Sequence, residues 1–511
     1  MYYFSQKNDN FVQALLVAEF GSAEPEPGLH YFGACPILNR TNYYEKCFND
    51  KYLVLNPNTG TWCFLSAKEH EILQMIDNIT FQSLQKRFTV NEIKPLEEFI
   101  FYLYIRNIIT INGQSFIEEC LFDDGPMKRL GALFIVEPTK RCNLHCSYCF
   151  VGCDNKKQVR MSKKSAHRII ELILATDFDS LTIEFSGGEA LLGFDFIQYF
   201  VKELKKKLFV STGKRVHLTM QTNATLLDEQ KLEFFMENDI SFSVSLDGAP
   251  EDNDATRKYS NGKGSYNDIE KAVQLIRCRG LSPGVISVLT NKNSQNYIKN
   301  LKFFKKIGIN GIKLNPIFSN GRAEENWVEL AISDKEILAV QQQYLDYLIE
   351  EADPIKEDNI RYMFENLSTC MRSYRCMLSC CGAGENMFIF APDGNIFPCA
   401  REQNKMEYCL GHINDPNIQL QTLYKDNAQI LALRSRKVVK IEKCQRCVYR
   451  RFCEGDCSLL TYETFGDYFQ PHPRCEYYQG MYDLIFAYLS KYEELPQKLS
   501  NNFRIFNRPF L

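Results

Sequence analysis

Short apolar runs alternate with amphipathic stretches through the middle of the chain. Apolar runs of this length predict strands, and apolar residues recurring every three or four positions predict helices. Six strands are predicted, at 133–136, 181–185, 216–222, 242–246, 285–289 and 312–314. Helices are predicted after most of them, at 162–176, 194–208, 228–238 and 265–279. This order predicts a parallel α/β sheet over residues 130–320, curved into a partial (β/α)6 barrel of the TIM type.

Residues 1–118 predict a separate α+β unit. Its predicted elements are a hairpin of strands 52–55 and 61–65, helices starting at 66, near 81 and from about Pro95, and a strand at 108–113. Ser66 and Glu69 have the spacing of a capping box, which marks a helix start. A hairpin, three helices and a strand resemble a small winged-helix domain, and a generic accessory domain fits the pattern equally well.

The C-terminal part divides by composition. A polar stretch and a long helix at 334–352 predict a helical bridge over 321–375. Residues 376–485 are rich in cysteine, and 486–511 form a tail. Within the cysteine-rich part, 388–390 and 395–397 flank Asp393-Gly394 and predict a second hairpin.

Composition excludes several classes of protein. The 511 residues carry a net charge of −3, with 24% charged and 45% hydrophobic residues, which is typical of soluble globular proteins and argues against a nucleic-acid partner. No apolar run approaches the roughly 20 residues of a membrane span. The apolar patch at 11–20 lacks the basic leader of a signal peptide. We therefore expect a cytoplasmic protein without a membrane partner.

Twenty cysteines in a cytoplasmic protein predict metal sites, because that compartment keeps thiols reduced. Cys142, Cys146 and Cys149 follow the first barrel strand directly, at the end of the sheet where such barrels carry their functional loops. Cys153 does not continue their spacing. Three thiolates on a four-iron cluster leave one iron open for chemistry; a structural zinc with a ligand from elsewhere is the alternative.

Polar groups follow the next strands at the same rim. Ser186, Gly187, Gly188 and Glu189 end the second strand, where paired glycines allow a close backbone approach. Asn223 ends the third strand, and Ser245 with Asp247 ends the fourth. Arg257 follows in the next loop, either paired with a carboxylate or as a solvated surface arginine.

With these motifs, residues 130–320 resemble the radical SAM enzymes. The resemblance implies a [4Fe–4S] cluster whose open iron binds S-adenosylmethionine, which is cleaved to a 5′-deoxyadenosyl radical. It assigns the cluster to Cys142, Cys146 and Cys149 and makes Tyr148 the aromatic residue before the third cysteine. Gly187, Gly188 and Glu189 match the motif that receives the methionine amino group. Ser186, Asn223 and Ser245 are expected near the ribose or substrate, and Arg257 near the methionine carboxylate.

The later cysteines have the spacing Cys-x2-Cys-x5-Cys-x3-Cys from Cys444 to Cys457, for which zinc is the alternative. The whole series resembles the SPASM extension of radical SAM enzymes and implies two auxiliary [4Fe–4S] clusters, making three in total. By resemblance, the ligands are Cys381, Cys399 and Cys457 for the first cluster and Cys444, Cys447, Cys453 and Cys475 for the second. Cys376 is the expected fourth ligand of the first cluster, with Cys380 and Cys370 competing. Without such a ligand, an open iron there could take a substrate thiolate.

Enzymes with this extension commonly modify peptides. The N-terminal unit resembles the element in which a precursor's leader adds a strand to a sheet edge. We therefore expect a ribosomally made precursor peptide as substrate and a thioether, carbon–carbon or carbon–oxygen cross-link as product, with an electron donor such as flavodoxin or ferredoxin. Epimerisation is an alternative, and no catalytic residue is assigned.

Two further functions are alternatives to peptide cross-linking. A sulfatase-type maturase, which makes formylglycine, typically has an acidic residue directly after the cysteine matching Cys399; this chain has Ala400 there. A metal scaffold that binds a peptide without chemistry would need neither the Gly-Gly-Glu loop nor an open iron.

Overall fold

The computed structural model describes residues 29–116, 131–153, 156, 159–210, 213–368, 377–378, 380–402, 405–423, 427–492 and 495. The predicted break at 123–126, the tail beyond 495, Cys370 and Cys376 lie outside these residues. No helix in the described ranges is both long and apolar enough to cross a membrane.

The described strands number eighteen and form four sheets. In chain order they are β1 (Ile37–Arg40), β2 (Tyr44–Phe48), β3 (Lys51–Leu55), β4 (Trp62–Leu65), β5 (Ile79–Thr80), β6 (Ile109–Ile111), β7 (Gly131–Val136), β8 (Ser180–Phe185), β9 (Arg215–Thr222), β10 (Ile240–Ser245), β11 (Gly284–Leu289), β12 (Gly311–Pro316), β13 (Lys356–Glu357), β14 (Met377–Leu378), β15 (Cys380–Cys381), β16 (Met387–Phe390), β17 (Asn395–Phe397) and β18 (Gly411–His412).

The α-helices follow the same convention. In the described ranges they are α1 (Ala67–Gln74), α2 (Phe81–Gln85), α3 (Val90–Ile105), α4 (Lys163–Leu174), α5 (Phe194–Val210), α6 (Glu229–Glu237), α7 (Pro250–Thr256), α8 (Tyr266–Cys278), α9 (Tyr297–Lys306), α10 (Arg322–Glu325), α11 (Trp327–Leu330), α12 (Asp334–Glu350), α13 (Asp358–Ser368), α14 (Ala428–Ser435), α15 (Glu442–Gln445), α16 (Arg450–Cys453), α17 (Ser458–Phe465) and α18 (Cys475–Lys491).

The predicted parallel sheet is confirmed. Strands β7 to β12 pair side by side in chain order, all parallel. Side chains alternate along each strand: in β8, Leu181, Ile183 and Phe185 are fully buried in the core shared with α4 and α5. Thr182 and Glu184 therefore point to the opposite, inner face of the barrel.

The C-terminal hairpin extends this barrel sheet. Strand β16 pairs in parallel with β7, so that Met387 lies beside Leu133 and Phe390 beside Val136. Strand β17 pairs antiparallel with β16 and confirms the predicted hairpin. With β13 and β18 at the two ends, the sheet has ten strands. The cysteine-rich part is therefore joined to the barrel by continuous main-chain pairing.

The N-terminal unit contains two three-stranded antiparallel sheets, in the orders β5-β1-β6 and β2-β3-β4. The hairpin of β3 and β4 and the capping box at Ser66 are confirmed. The predicted start of the third helix near Pro95 is wrong: α3 begins at Val90, because Thr89 and Glu92 form a second capping box. Proline at 95 removes one main-chain donor without ending the helix.

The N-terminal unit packs on the C-terminal helix α18. The Trp62 ring lies edge-on to Phe486, with centroids 5.0 Å apart, and its Nε1 donates to the Leu367 carbonyl at 2.8 Å. Lys46 pairs with Asp483 at 2.7 Å. Arg451, beside the later cysteines, donates to the Asn58 carbonyl at 2.6 Å. Aromatic packing and these polar contacts hold the hairpin against the cysteine-rich part.

Candidate functional site

The three cysteines of the first motif lie in the loop that leaves β7 at its carboxyl end. Main-chain hydrogen bonds tie this loop to the segment after β10: His145 N–H donates to the Lys258 carbonyl at 2.7 Å, and Ser147 N–H to the Thr256 carbonyl at 3.0 Å. Cys146 is buried, and Cys142 and Cys149 are half-buried. The thiols therefore sit at the mouth of the barrel on a loop anchored by its own backbone.

The paired glycines hold this loop in place. Gly188 N–H donates to the Thr139 carbonyl at 3.0 Å, and Glu189 N–H donates to the Arg141 carbonyl at 2.9 Å. A Cβ atom at position 188 would lie 2.2 Å from the Arg141 carbonyl oxygen, far inside van der Waals contact. The glycine pair is thus required for the close approach of two backbones, one of which leads directly into Cys142.

Glu189 is almost fully buried, with 1% of its surface exposed. Its carboxylate accepts hydrogen bonds from Thr222 Oγ1 at 2.6 Å and from the N–H groups of Leu191 at 3.0 Å and Asn223 at 2.8 Å. Burial raises the pKa of this carboxyl group, while the hydrogen bonds oppose that shift. In this arrangement the carboxylate links the end of β8 to the end of β9, and its role toward a methionine amino group stays a prediction.

The other predicted rim residues meet beside the same loop. Asn223 Nδ2 donates to Asn143 Oδ1 at 3.0 Å and lies 3.9 Å from Cys142 Sγ. Ser245 accepts a hydrogen bond from Gln221 Nε2 at 2.7 Å, which joins β9 to β10. Ser186 is half-buried and donates its main-chain N–H to the Val136 carbonyl at 3.1 Å. The fold therefore brings all three to one rim, as predicted from the strand order.

Arg257 is 7% exposed, so the alternative of a solvated surface arginine is wrong. Its guanidinium donates to the Tyr148 hydroxyl and lies 3.9 Å from the Asp247 carboxylate. Tyr148 in turn donates to Asp247, which also accepts from Val288 N–H at 2.9 Å. A buried tyrosine, carboxylate and guanidinium thus connect the cysteine loop to the ends of β10 and β11.

A residue that the sequence motifs did not indicate holds the other side of the loop. Arg322, 9% exposed, donates to the carbonyl oxygens of Cys146 at 2.9 Å and Cys153 at 2.8 Å. Its own N–H donates to the Cys149 carbonyl at 3.1 Å. Asn326 adds a bond to the Ser147 carbonyl at 3.1 Å. Arg322 of α10 and Asn326, directly after this helix, therefore satisfy four carbonyl groups of the cysteine loop.

The thiols of this loop are electrostatically unequal. Burial raises the pKa of Cys142 to about 12 and that of Cys146 to about 11. A hydrogen bond from Cys153 lowers the pKa of Cys149 below its ordinary value. Thiolates are the form that binds metal, so loading this site releases protons. Three thiols on one short loop, near enough for Cys146 and Cys149 to raise the pKa of Cys142, are the ligand set of a [4Fe–4S] cluster that keeps one open iron.

Four of the later cysteines come together as predicted. Cys444, Cys447, Cys453 and Cys475 line one cavity. His472 lines the same cavity, and burial lowers its pKa to about 3, so the imidazole is neutral. Four thiols that line one cavity are the ligand set that four-iron clusters use.

Cys457 does not line that cavity. It packs with Cys399 against the apolar cluster that contains Ile135 of β7 and Ile389 of β16, on the inner side of the sheet. Only the backbone of Cys380 and Cys381 is described, in β15, and the ligand set with Cys376 stays a prediction. Within the described ranges, no three His, Cys, Asp or Glu side chains are grouped as ligands of a single metal ion.

The sequence motifs also did not indicate two charged residues on the inner face of the barrel. Glu184 of β8 and Lys313 of β12 stand at positions that alternate with buried apolar residues. Burial raises the pKa of Glu184, and the Lys313 charge opposes that shift. A charge inside an otherwise apolar strand was the signal that could have identified each of them.

Comparison with known proteins agrees with this geometry. The family model of the radical SAM superfamily matches residues 136–303. The cysteine-type anaerobic sulfatase-maturating enzyme of Clostridium novyi is 25% identical over 365 residues, which cover 70% of this chain and 95% of that enzyme. An uncharacterised protein of Methanocaldococcus jannaschii is 30% identical over 285 residues, or 55% of this chain and 89% of that protein.

Two solved structures share the fold. Native anSMEcpe with bound AdoMet superposes with a TM-score of 0.62 at 20% identity, covering 70% of this chain and 98% of that one. Streptococcus suis SuiB superposes with a TM-score of 0.51 at 15% identity, covering 86% of this chain and 100% of SuiB. SuiB has also been solved bound to its precursor peptide SuiA. The SuiB match thus extends over more of this chain.

Proposed function

Because this chain belongs to the radical SAM superfamily, we propose that it modifies a ribosomally made precursor peptide by forming a cross-link at an unactivated carbon. A [4Fe–4S] cluster with S-adenosylmethionine supplies, in this family, the 5′-deoxyadenosyl radical that abstracts a substrate hydrogen. We assign the cluster to Cys142, Cys146 and Cys149. Arg322 and the Tyr148–Asp247–Arg257 network hold their loop from opposite sides.

S-adenosylmethionine would lie at the rim formed by the ends of β8, β9 and β10. The rim residues assigned to it are Ser186, Gly187, Gly188, Glu189, Asn223, Ser245 and Arg257. Asn223 is beside Cys142 and Ser245 is held by Gln221, so both are oriented before a ligand arrives. Preorientation of this kind reduces the cost of binding.

We further propose two auxiliary clusters. Cys444, Cys447, Cys453 and Cys475 supply one of them, in the cavity that they share. Cys381, Cys399, Cys457 and Cys376 supply the other. The packing of Cys399 and Cys457 against the apolar cluster that contains Ile135 supports a site for this second cluster on the inner side of the barrel sheet.

The proposal of a peptide substrate rests on the N-terminal unit and its open sheet edges. Within the described residues, β2 and β4 each pair on one side only. Glu45 and Cys47 of β2 are exposed. A leader segment could therefore extend this sheet by main-chain hydrogen bonds. The unit is docked on α18 by Trp62 and Lys46, which holds a bound peptide near the barrel. SuiB, whose match covers more of this chain than that of anSMEcpe, has been solved with its precursor peptide, and anSMEcpe has been solved with the Cp18Cys peptide.

The proposal is tested on anaerobically reconstituted protein with S-adenosylmethionine and dithionite. The probe is the product of a short reading frame beside the gene, synthesised with and without its leader. We expect 5′-deoxyadenosine, loss of two hydrogens from the full peptide, and a much lower yield from the leaderless one. Equal yields would remove the leader-binding role, and absence of 5′-deoxyadenosine would remove the radical chemistry.

Sulfatase maturation is the second candidate, favoured by the named relatives from Clostridium. Ala400, which follows Cys399 and opens a 3₁₀ turn, provides no acidic group at the position where such enzymes typically have one. Incubation with a cysteine-containing sulfatase peptide distinguishes the two functions. An aldehyde product that reacts with a hydrazine reagent would favour maturation over cross-linking.

A further inference from the structure

The segment around the first cysteine loop is strongly basic in a chain of net charge −3. Residues 139–164 contain seven Lys or Arg and one Asp. Six of the cations lie within the described residues: Lys140, Arg141, Lys156, Arg160, Lys163 and Lys164. Positive charge is therefore concentrated beside the loop that we assign to the cluster, and the remainder of the chain has a net negative charge.

Two contacts place these cations next to the cysteine loop. Thr139 Oγ1 donates to the Val159 carbonyl at 2.9 Å, and Met161 N–H donates to the Pro138 carbonyl at 2.9 Å. Arg160 and the start of α4 thus lie against the segment that runs into Cys142. On another side of the loop, the exposed Lys258 accepts the His145 N–H through its carbonyl.

Three of these cations have no counter-ion in the described part of the chain. Within the described ranges, Lys140, Arg160 and Lys164 make no ion pair, whereas Lys206 and Lys207 of α5 pair with Glu203 and Glu171. Helix α4 has no acidic residue in its first turn, and Lys163 and Lys164 stand there against the positive end of the helix dipole. Such an arrangement is unfavourable in isolation and becomes favourable when an anionic surface binds.

An exposed aromatic ring lies on the cysteine loop itself. Phe150 follows Cys149 directly and is 44% exposed. Glu324 and Glu325 are exposed on α10, whose start contacts the Cys149 carbonyl, and they limit the basic surface on that side. Weak redox encounters use small interfaces, and complementary charge steers their association.

We propose that Lys140, Arg160, Lys163, Lys164 and Phe150 form the docking surface for an acidic one-electron carrier protein of the flavodoxin or ferredoxin class. This inference rests on the proposed function and names its electron source. The carrier would deliver one electron through the cysteine loop to the cluster. The positive charge of this surface favours an acidic carrier.

The test uses the reconstituted full-length protein and a purified flavodoxin. The variant R160E/K164E reverses two charges that touch no assigned ligand. The matched control is K202E/K205E, which reverses two exposed cations of α5. Binding of oxidised flavodoxin is measured at low and high salt, and 5′-deoxyadenosine formation is measured with reduced flavodoxin and, separately, with dithionite.

We expect R160E/K164E to weaken flavodoxin binding about ten-fold at low salt, in the range of electrostatic steering, and to flatten its salt dependence. Its dithionite-driven rate and the control variant should equal wild type. Wild-type flavodoxin affinity in R160E/K164E would overturn the proposal. So would an equal fall in the dithionite-driven rate, or loss of affinity for the precursor instead of the carrier. If wild type forms no 5′-deoxyadenosine with dithionite, the proposed function fails, and the binding measurement still judges the surface.

Discussion

The Nε atom of Arg322 donates a hydrogen bond to the carbonyl oxygen of Cys146 at 2.9 Å, across 176 residues of sequence. The same guanidinium reaches the Cys153 carbonyl. A buried main-chain carbonyl needs a hydrogen-bond donor, and the Arg322 side chain donates to two such carbonyls. The shape of the cysteine loop therefore depends on a residue that follows the last barrel strand.

Arg322→Met should remove these donors and leave buried carbonyls without partners. We expect the free energy of unfolding to fall by about 3 kcal/mol, and iron to be lost faster to a chelator. The matched control is Arg279→Met, since Arg279 pairs with Glu229 at the surface and such pairs contribute about 1 kcal/mol or less. Similar chelator sensitivity in both variants would contradict the anchoring role.

Gly188→Ala should displace the Arg141 carbonyl, which lies 2.2 Å from the added Cβ position. Overpacking against backbone costs about 1–3 kcal/mol or more, and the strain falls on the chain entering Cys142. We expect reduced iron content and weaker S-adenosylmethionine binding. Gly311→Ala serves as the control, because its Cβ would meet only the Lys356 carbonyl, at 3.9 Å. Full iron content in Gly188→Ala would refute the close-approach argument.

The later cysteines should lose iron in two independent groups. Cys444→Ser should remove about four irons and Cys457→Ser a different set of about four, because the cavity contains Cys444 but not Cys457. The double variant should lose both. Cys278→Ser, at an exposed cysteine, should keep all of the iron. Identical electron paramagnetic resonance spectra for Cys444→Ser and Cys457→Ser would argue for one shared cluster.

Glu357 should make stability depend on pH. Burial raises its pKa from 4.5 to about 7, so the folded state binds a proton that the unfolded state releases. The contribution of Glu357 to the free energy of unfolding is fully present below pH 4.5 and is lost as the pH rises through 7. Between pH 5.5 and 7 the loss is about 2 kcal/mol. Urea unfolding should show this slope in wild type and in Glu350→Gln, an exposed site, but not in Glu357→Gln.

Much of the fold follows from local pattern. The six barrel strands, the capping box at Ser66 and the hairpin carrying Cys399 are confirmed, because alternation, caps and turns act between neighbours in sequence. The start of α3 was misplaced by giving Pro95 more weight than the Thr89–Glu92 box. The rim residues were found because parallel strands end at one edge of a sheet.

By itself, the sequence determined the strand order, the cysteine spacings and therefore the family. The tertiary structure alone decided that Arg257 is buried with Asp247, that Arg322 holds the cysteine loop, and that β16 pairs with β7. Each of these contacts joins residues that are distant in sequence or lie in loops without periodicity. The spacing of hydrophobic residues indicates which face of a segment is buried. The partner of a buried charge or of a strand edge is determined only when the whole chain has packed.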